Sequence, residues 1–162
     1  MLDTVKDEYA DAVAYGGGIY GAGYCFGAKY VIVLAGEHPD SVMYGQVDGK
    51  DEEGGMVKKG PFLKAGVIAH GTQVTREDVC AVKSPLLMVC VENDQLFPAE
   101  ILESGRQYMD AHAVEHDIKI YPGVPHGKLS TAQNGTGINW VRLCSGWRLS
   151  RPGHRKGTEQ CL

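Results

Sequence analysis

The sequence predicts an α/β protein in which a parallel sheet is flanked by helices. Short apolar segments of strand length alternate with helical segments, as in chains built from right-handed crossovers. One of these segments, Leu86–Val91, is apolar throughout, which is typical of a parallel strand covered on both faces. In addition, Cys25, Asp94 and His126 each follow a predicted strand, at the edge of the sheet where sites form.

Length and composition are those of a globular domain. The chain has 162 residues, of which 43% are hydrophobic and 22% are charged. A net charge of −4 argues against partners such as nucleic acid or an anionic membrane surface, and the apolar runs are too short to span a bilayer. Five cysteines without a CxxC pair favour a reducing compartment. With no secretory signal evident, we expect a cytoplasmic protein.

The first half of the chain contains two predicted helices, one predicted strand and one predicted loop. Val5–Ala14 is a weak helix, Ile19–Ala22 a short strand, and a second helix runs from Gly27 to Gly36. Residues 38–61 are rich in Gly, Asp, Glu and Lys, which predicts a long mobile loop.

The second half contains two further strand and helix units. Lys64–His70 reads as a buried strand; Thr75 is a predicted N-cap, with Asp78 completing a capping box, and its helix reaches Lys83. The strand Leu86–Val91 follows. The remaining predicted elements are a helix over Pro98–Ala113 and a strand over Ile118–Tyr121.

A change in composition divides the chain after the last loop. Residues 128–162 carry six Lys or Arg and only Glu159 as an acid, and they lose apolar periodicity. We therefore expect one domain over residues 1–127 and an atypical, basic, poorly ordered tail over residues 128–162.

Cys25 lies between two glycines where a strand meets a helix. Gly23-x-Cys25-x-Gly27 has the form of a nucleophile elbow, with cysteine in place of serine. Glycines suit that turn because its backbone is strained and because strand and helix pass closely. The helix N-terminus would favour the thiolate, although a buried cysteine beside a glycine turn is the simpler alternative.

Cys25, Asp94 and His126 come in the chain order of an α/β-hydrolase triad. His126 would accept the thiol proton and later protonate the leaving oxygen, while Asp94 would hold the imidazole tautomer. The backbone N–H of Phe26 would contribute to the oxyanion hole. Tyr24 and His70 are the candidate substrate-binding residues.

The segments that carry these residues resemble the dienelactone hydrolases. Gly23–Lys29 is similar to the elbow of that family, Glu92–Pro98 to its acid loop and Tyr121–Gly127 to its histidine loop, and Ala69-His70-Gly71 fits a further family segment. The resemblance implies a partial α/β-hydrolase fold and a Cys-Asp-His triad that cleaves a lactone or small ester without a cofactor or metal. The strands that usually precede the elbow, and the usual final helix, are not recognisable here.

Two alternatives remain open for the function. The chain is either such a hydrolase or an impaired, non-enzymatic binding remnant that keeps the triad residues. A minor alternative is a zinc hydrolase, because His112-Ala113-Val114-Glu115-His116 matches H-x-x-E-H and would place both histidines on one helix face.

The strand before the elbow is expected to pair on one side only, with the strand Lys64–His70. Its other edge carries no charge and no proline, so the sequence predicts self-association through Ile19–Gly23.

Overall fold

The computed structural model describes residues 2–39 and 58–127. The helices in this part of the chain are α1 (Leu2–Glu8), α2 (Ala10–Gly16), α3 (Phe26–Leu34), α4 (Arg76–Val79) and α5 (Ala99–Ala111). The strands are β1 (Tyr20–Cys25), β2 (His38–Pro39), β3 (Lys58–Lys59), β4 (Ala65–Gly71), β5 (Leu86–Val91) and β6 (His116–Tyr121).

The main sheet has four strands in the order β1-β4-β5-β6, and all neighbours are parallel. This confirms the predicted α/β class. Because the strands are parallel, their carboxyl ends all reach the same edge of the sheet. The loops that carry the predicted site residues therefore start from one edge.

The main core lies between one face of the sheet and helices α3, α4 and α5. All residues of β5 are buried, as its uninterrupted apolar sequence predicts. Leu86, Met88 and Cys90 project from β5 into the cluster that includes Ile32 of α3 and Met109 of α5. Each fully buried side chain of this size contributes roughly 1.5–3 kcal/mol to stability.

The capping box at Thr75 is present, but the helix that follows Thr75 is shorter than predicted. Thr75 accepts from the N–H of Asp78, and Asp78 accepts from the N–H of Thr75. The helix ends at Val79 instead of Lys83. The N–H groups of Lys83 and Ser84 instead donate to the carbonyl of Ala35, so this segment turns back to the end of α3.

The end of α5 is also earlier than predicted, and its hydrogen bonds explain why. Ala113 takes a left-handed φ of 54°, its N–H donates to the carbonyl of Asp110, and the N–H of Val114 donates to that of Met109. These bonds form a Schellman motif, which usually places glycine where Ala113 stands. Because of this motif, α5 ends at Ala111 and β6 starts at His116. The sequence has no glycine at position 113 to mark the boundary, so the prediction placed the helix end too late.

Two N-terminal expectations also need correction. The single helix predicted over Val5–Ala14 is two helices, because the chain leaves helical geometry at Tyr9, with a ψ of 32°. The predicted loop 38–61 begins and ends in paired backbone, since His38 and Pro39 form an antiparallel ladder with Lys59 and Lys58. Residues 40–57 of that loop, and the predicted tail 128–162, lie outside the described residues.

None of the helices within residues 2–39 and 58–127 combines the length and the apolar character needed to cross a bilayer.

Candidate active site

Cys25 occupies the turn between β1 and α3, as the elbow pattern predicts. It is the last residue of the strand and the N-cap of the helix, with φ 52° and ψ −119°. Such a backbone is strained for a residue that carries a side chain, and strain of this kind is typical of functional sites. The carbonyl of Cys25 accepts a hydrogen bond of 3.2 Å from the N–H of Thr72, which fixes the turn to the end of β4. The thiol is half-buried.

The two elbow glycines have different roles. A Cβ on Gly23 would lie 2.5 Å from the carbonyl oxygen of Gly27 and 2.8 Å from Val31, so the close approach of strand and helix requires glycine there. A Cβ on Gly27 would meet no atom within 4 Å. The expectation that both positions exclude a side chain is therefore correct for Gly23 and wrong for Gly27.

Asp94 and His126 form a direct pair. Nδ1 of His126 donates to the Asp94 carboxylate, at 2.7 Å from Oδ2 and 2.9 Å from Oδ1. The side chains are 3% exposed for Asp94 and 17% exposed for His126, so water competes little with this contact. With the proton held on Nδ1, a neutral imidazole presents the lone pair of Nε2 as a base.

The loop after β5 holds the Asp94 carboxylate in place. Oδ1 of Asp94 accepts hydrogen bonds from the N–H groups of Leu96 at 2.9 Å and Phe97 at 3.3 Å. Phe97 is buried in the core, which ties the loop to the body of the protein. These two backbone donors were not identified from the sequence, because an Asp that accepts from residues two and three positions later is common in ordinary turns.

Nε2 of His126 has no hydrogen-bond partner within the described residues, although the atom is buried. The thiol of Cys25 is therefore not bonded to it in this conformation. The structure brings Asp94 and His126 together and places Cys25 at the same sheet edge. Catalytic hydrogen bonds are often long before substrate binds.

A bulge in β4 directs His70 toward the pair. Tyr24 lies opposite Ala69, but Cys25 lies opposite Gly71, so His70 is the extra residue in the ladder, with φ 30°. Its ring packs edge-on against those of His126, with centroids 4.7 Å apart, and Tyr24, at 5.4 Å. The sequence placed His70 at the end of a strand but held no signal for the bulge.

His70 is fully buried and neither ring nitrogen has a hydrogen-bond partner within the described residues. Burial lowers the pKa of His70 from its ordinary value, and the nearby His126 lowers it further. The negative charge of the Asp94 carboxylate opposes this shift only in part. His70 is therefore neutral near pH 7 and adds no charge beside His126.

Phe26 is the first residue of α3, so its backbone N–H has no carbonyl partner within the helix. That N–H is the predicted oxyanion donor. The Phe26 ring is about half exposed and packs edge-on against Tyr30, at a centroid distance of 5.2 Å. Tyr24, on the other side of Cys25, is also about half exposed. Aromatic rings thus flank the thiol in the chain.

The geometry that the zinc alternative requires is not present. His112 caps the end of α5 and His116 begins β6, so the prediction that they share one helix face is wrong. The Nδ1 atoms pair with the backbone carbonyls of Tyr108 and Val114. The left-handed turn at Ala113 separates the two histidines. Within residues 2–39 and 58–127, no group of three potential ligands could hold a metal.

The sequence profile of the dienelactone hydrolase family matches residues 55–149, which is more than half of the chain and includes Asp94 and His126. This chain belongs to the dienelactone hydrolase family. The matched segment begins after Cys25 and continues past Gly127 into the part that the sequence analysis set apart as a tail.

Among curated proteins, this chain is similar to Hydrolase tropI of Talaromyces stipitatus. The two are 27% identical over 105 residues, which cover 65% of this chain and 32% of that protein. It is also similar to the carboxymethylenebutenolidase homolog of Mus musculus, with 34% identity over 68 residues, or 41% of this chain and 28% of that protein. The chain therefore spans well under half the length of these relatives.

A solved structure shares the fold. A Klebsiella pneumoniae protein assigned to the dienelactone hydrolases superposes with a TM-score of 0.54 at 19% identity. The superposition covers 86% of this chain and 57% of the Klebsiella chain. This likeness shows that the sheet of this chain is of the α/β-hydrolase type.

Proposed function

We propose that this dienelactone hydrolase family member hydrolyses a lactone or a small carboxylic ester through a cysteinyl acyl-enzyme. The observation that carries the proposal is the contact of 2.7 Å between Nδ1 of His126 and Oδ2 of Asp94, made at the sheet edge where Cys25 ends β1. A nucleophile, a base and a group that orients the base are the parts that acyl transfer needs. Family membership supports the same class of reaction.

In the first half of the proposed reaction, Nε2 of His126 takes the thiol proton of Cys25. The sulfur attacks the carbonyl carbon, and the carbonyl oxygen becomes an oxyanion that the N–H of Phe26 stabilises. The carbon–oxygen bond of the ester then breaks, and His126 protonates the leaving oxygen. Asp94 keeps the imidazole tautomer and stabilises the imidazolium.

In the second half, water replaces the leaving group. His126 removes a proton from the water as it attacks the thioester carbonyl. The carbon–sulfur bond then breaks, and His126 returns the proton to the sulfur, which releases the carboxylic acid and regenerates the thiol. Tyr24 and His70 are the proposed substrate-facing side chains, since their rings touch each other and His70 also touches His126.

Hydrolysis of p-nitrophenyl acetate and of dihydrocoumarin, an aryl lactone, by the purified chain tests the proposal. Cys25→Ala and His126→Ala should each abolish turnover, and mass spectrometry after rapid quenching should show an acetyl group on Cys25. His112→Ala is the matched control, because this exposed histidine lies away from the pair and should leave turnover unchanged.

Turnover that survives in both Cys25→Ala and His126→Ala would move the chemistry to other residues. Turnover abolished by a chelator together with His112→Ala would return the zinc alternative to consideration. A folded protein that binds esters without turnover would instead be a non-catalytic remnant.

A further inference from the structure

A lysine of the elbow helix α3 is bonded to the loop between β4 and α4. Nζ of Lys29 donates to the backbone carbonyl of Gln73 at 2.9 Å and lies 3.4 Å from Oδ2 of Asp78. We call these three residues the lysine clasp. Hydrogen bonds from a charged donor are roughly twice as strong as neutral ones. Because Lys29 lies about one turn after Cys25, the clasp joins the start of α3 to residues 72–75.

Asp78 gives the lysine a fixed partner. Its side chain is only 10% exposed, and a carboxylate in such a place needs opposite charge or hydrogen-bond donors. The oxygen that faces Lys29 also accepts from the N–H of Thr75 at 2.8 Å, in the capping box that starts α4. The ammonium group is therefore held between a backbone carbonyl and a carboxylate that is itself anchored.

The loop that the clasp holds has a strained backbone. Gln73 has a φ of 55°, in the left-handed region that is unfavourable for a residue with a side chain. Such a conformation persists only where the surrounding structure holds it. The hydrogen bond from Lys29 to the carbonyl of Gln73 is one such contact, and the burial of Val74 in the core is another. Loss of the lysine would release the loop at this strained residue.

The same loop holds the peptide group between Cys25 and Phe26. The N–H of Thr72, the neighbour of Gln73, donates to the carbonyl of Cys25 at 3.2 Å. The peptide bond between Cys25 and Phe26 is trans, and in a planar trans peptide the C=O and N–H groups point in opposite directions. The hydrogen bond that fixes the carbonyl of Cys25 therefore also fixes the direction of the N–H of Phe26, which is the proposed oxyanion donor.

We propose that Lys29 is a positioning residue for the oxyanion hole: it holds residues 72–75, and Thr72 in turn directs the N–H of Phe26. This inference rests on the proposed acyl transfer at Cys25. Removal of an oxyanion donor slows catalysis by roughly 100- to 1,000-fold, because the donor stabilises charge that develops only in the transition state. A donor that is turned away from the oxyanion should therefore lower kcat and leave KM nearly unchanged.

Two reactions of the same thiol separate this role from general support of the fold. Acetylation of Cys25 by p-nitrophenyl acetate passes through an oxyanion at the carbonyl carbon. Alkylation by iodoacetamide forms no oxyanion, because the sulfur displaces iodide from a saturated carbon. A change that affects only the direction of the Phe26 N–H slows acetylation and spares alkylation, whereas a disturbed thiol slows both.

Amide hydrogen exchange at Thr72, measured by NMR, tests the clasp without any turnover. Lys29→Met removes the charge and its donors, so exchange at Thr72 should become at least about tenfold faster. Lys29→Arg keeps a charged donor and should restore most of the protection. Lys119→Met is the matched control. It removes an ion pair of 3.3 Å with Asp117 on β6, at the other end of the described sheet, and should leave Thr72 unchanged.

The ratio of acetylation to alkylation tests the direction of the donor. In Lys29→Met, acetylation of Cys25 should fall about 10- to 100-fold, while alkylation should stay within about twofold of the wild-type rate. Lys29→Arg should recover acetylation, and Lys119→Met should match the wild type. Should Lys29→Met not fold, Asp78→Asn weakens the clasp from its other side while keeping an acceptor for Thr75, and it should shift both measurements in the same direction by a smaller factor.

The results that would overturn the proposal are distinct from those that would refute hydrolysis. Unchanged exchange at Thr72 in folded Lys29→Met overturns it, and so does an equal fall in acetylation and alkylation. Either result leaves hydrolysis by the wild-type chain standing. A wild-type chain that is alkylated at Cys25 but never acetylated would refute the proposed hydrolysis itself, and the positioning role of Lys29 with it.

Discussion

Gly23 and Gly27 lie so close that a Cβ on Gly23 would sit 2.5 Å from the carbonyl oxygen of Gly27. Real Cβ atoms do not approach backbone oxygen this closely, so strand β1 or helix α3 would have to move. The same substitution at Gly27 meets empty space. The asymmetry distinguishes a glycine that the fold requires from one that only matches a motif.

The first prediction follows from that asymmetry. Gly23→Ala should lower the free energy of unfolding by about 1–3 kcal/mol, because overpacking forces backbone shifts. Gly27→Ala should be neutral or should raise it by up to about 1 kcal/mol, since alanine is the better helix former. Thermal or urea unfolding of both variants measures the difference. Equal destabilisation by the two variants would show that the strand and helix do not pass this closely.

The second prediction concerns the reactivity of the thiols. Burial raises the pKa of the Cys90 thiol to about 12, so this residue is unreactive in the folded protein. Cys25 is only half-buried, at the turn between β1 and α3, so a small reagent reaches its sulfur more easily than that of Cys90. Brief, substoichiometric iodoacetamide treatment followed by peptide mass spectrometry should therefore label Cys25 first and Cys90 last. Earlier labelling of Cys80, which lies 3.8 Å from the carbonyl oxygen of Ser104, would contradict the elbow interpretation.

The third prediction concerns the orientation of the base. In Asp94→Asn, the amide keeps one oxygen for the N–H groups of Leu96 and Phe97, so its NH₂ group faces Nδ1 of His126. A donor facing a donor reverses the preferred imidazole tautomer, and kcat for p-nitrophenyl acetate should fall at least about 100-fold. Glu92→Gln, an exposed acid in the same turn, is the matched control and should keep its kcat. An unchanged kcat in Asp94→Asn would remove Asp94 from the proposed mechanism.

The fourth prediction concerns pH and His70. Burial and the neighbouring His126 lower the pKa of His70, so the unfolded chain binds a proton more readily than the folded one. The stabilisation from this group is therefore complete above the unfolded value of 6.5 and is lost as the pH falls below it. His70→Phe cannot titrate and should show a weaker loss of stability between neutral and mildly acidic pH.

Urea unfolding at several pH values measures this difference, with the exposed His112→Phe as control. Some acid sensitivity should remain in His70→Phe, because burial also lowers the pKa of His38. Parallel pH profiles for wild type and His70→Phe would mean that His70 is not buried in its neutral form.

The chain sequence was sufficient for the features that depend on neighbouring residues. The apolar run of β5, the capping box of Thr75 and Asp78, and the elbow at Cys25 are local patterns with local causes. The parallel sheet and the common edge for Asp94 and His126 followed from the alternation of strands and helices. Each of these could be predicted because hydrogen bonding and burial act there over a few residues.

Only the tertiary structure decided the features that depend on distant contacts. The helix after Thr75 ends at Val79 because Lys83 and Ser84 bond to Ala35, far earlier in the chain. The bulge that turns His70 toward His126 arises from pairing with β1, and the need for glycine at position 23 arises from the passage of α3 above it. The side to which the N–H groups of β1 point could not be foreseen, because the hydrogen bonds that Lys64 and Thr72, at the two ends of β4, donate to Ile19 and Cys25 set it.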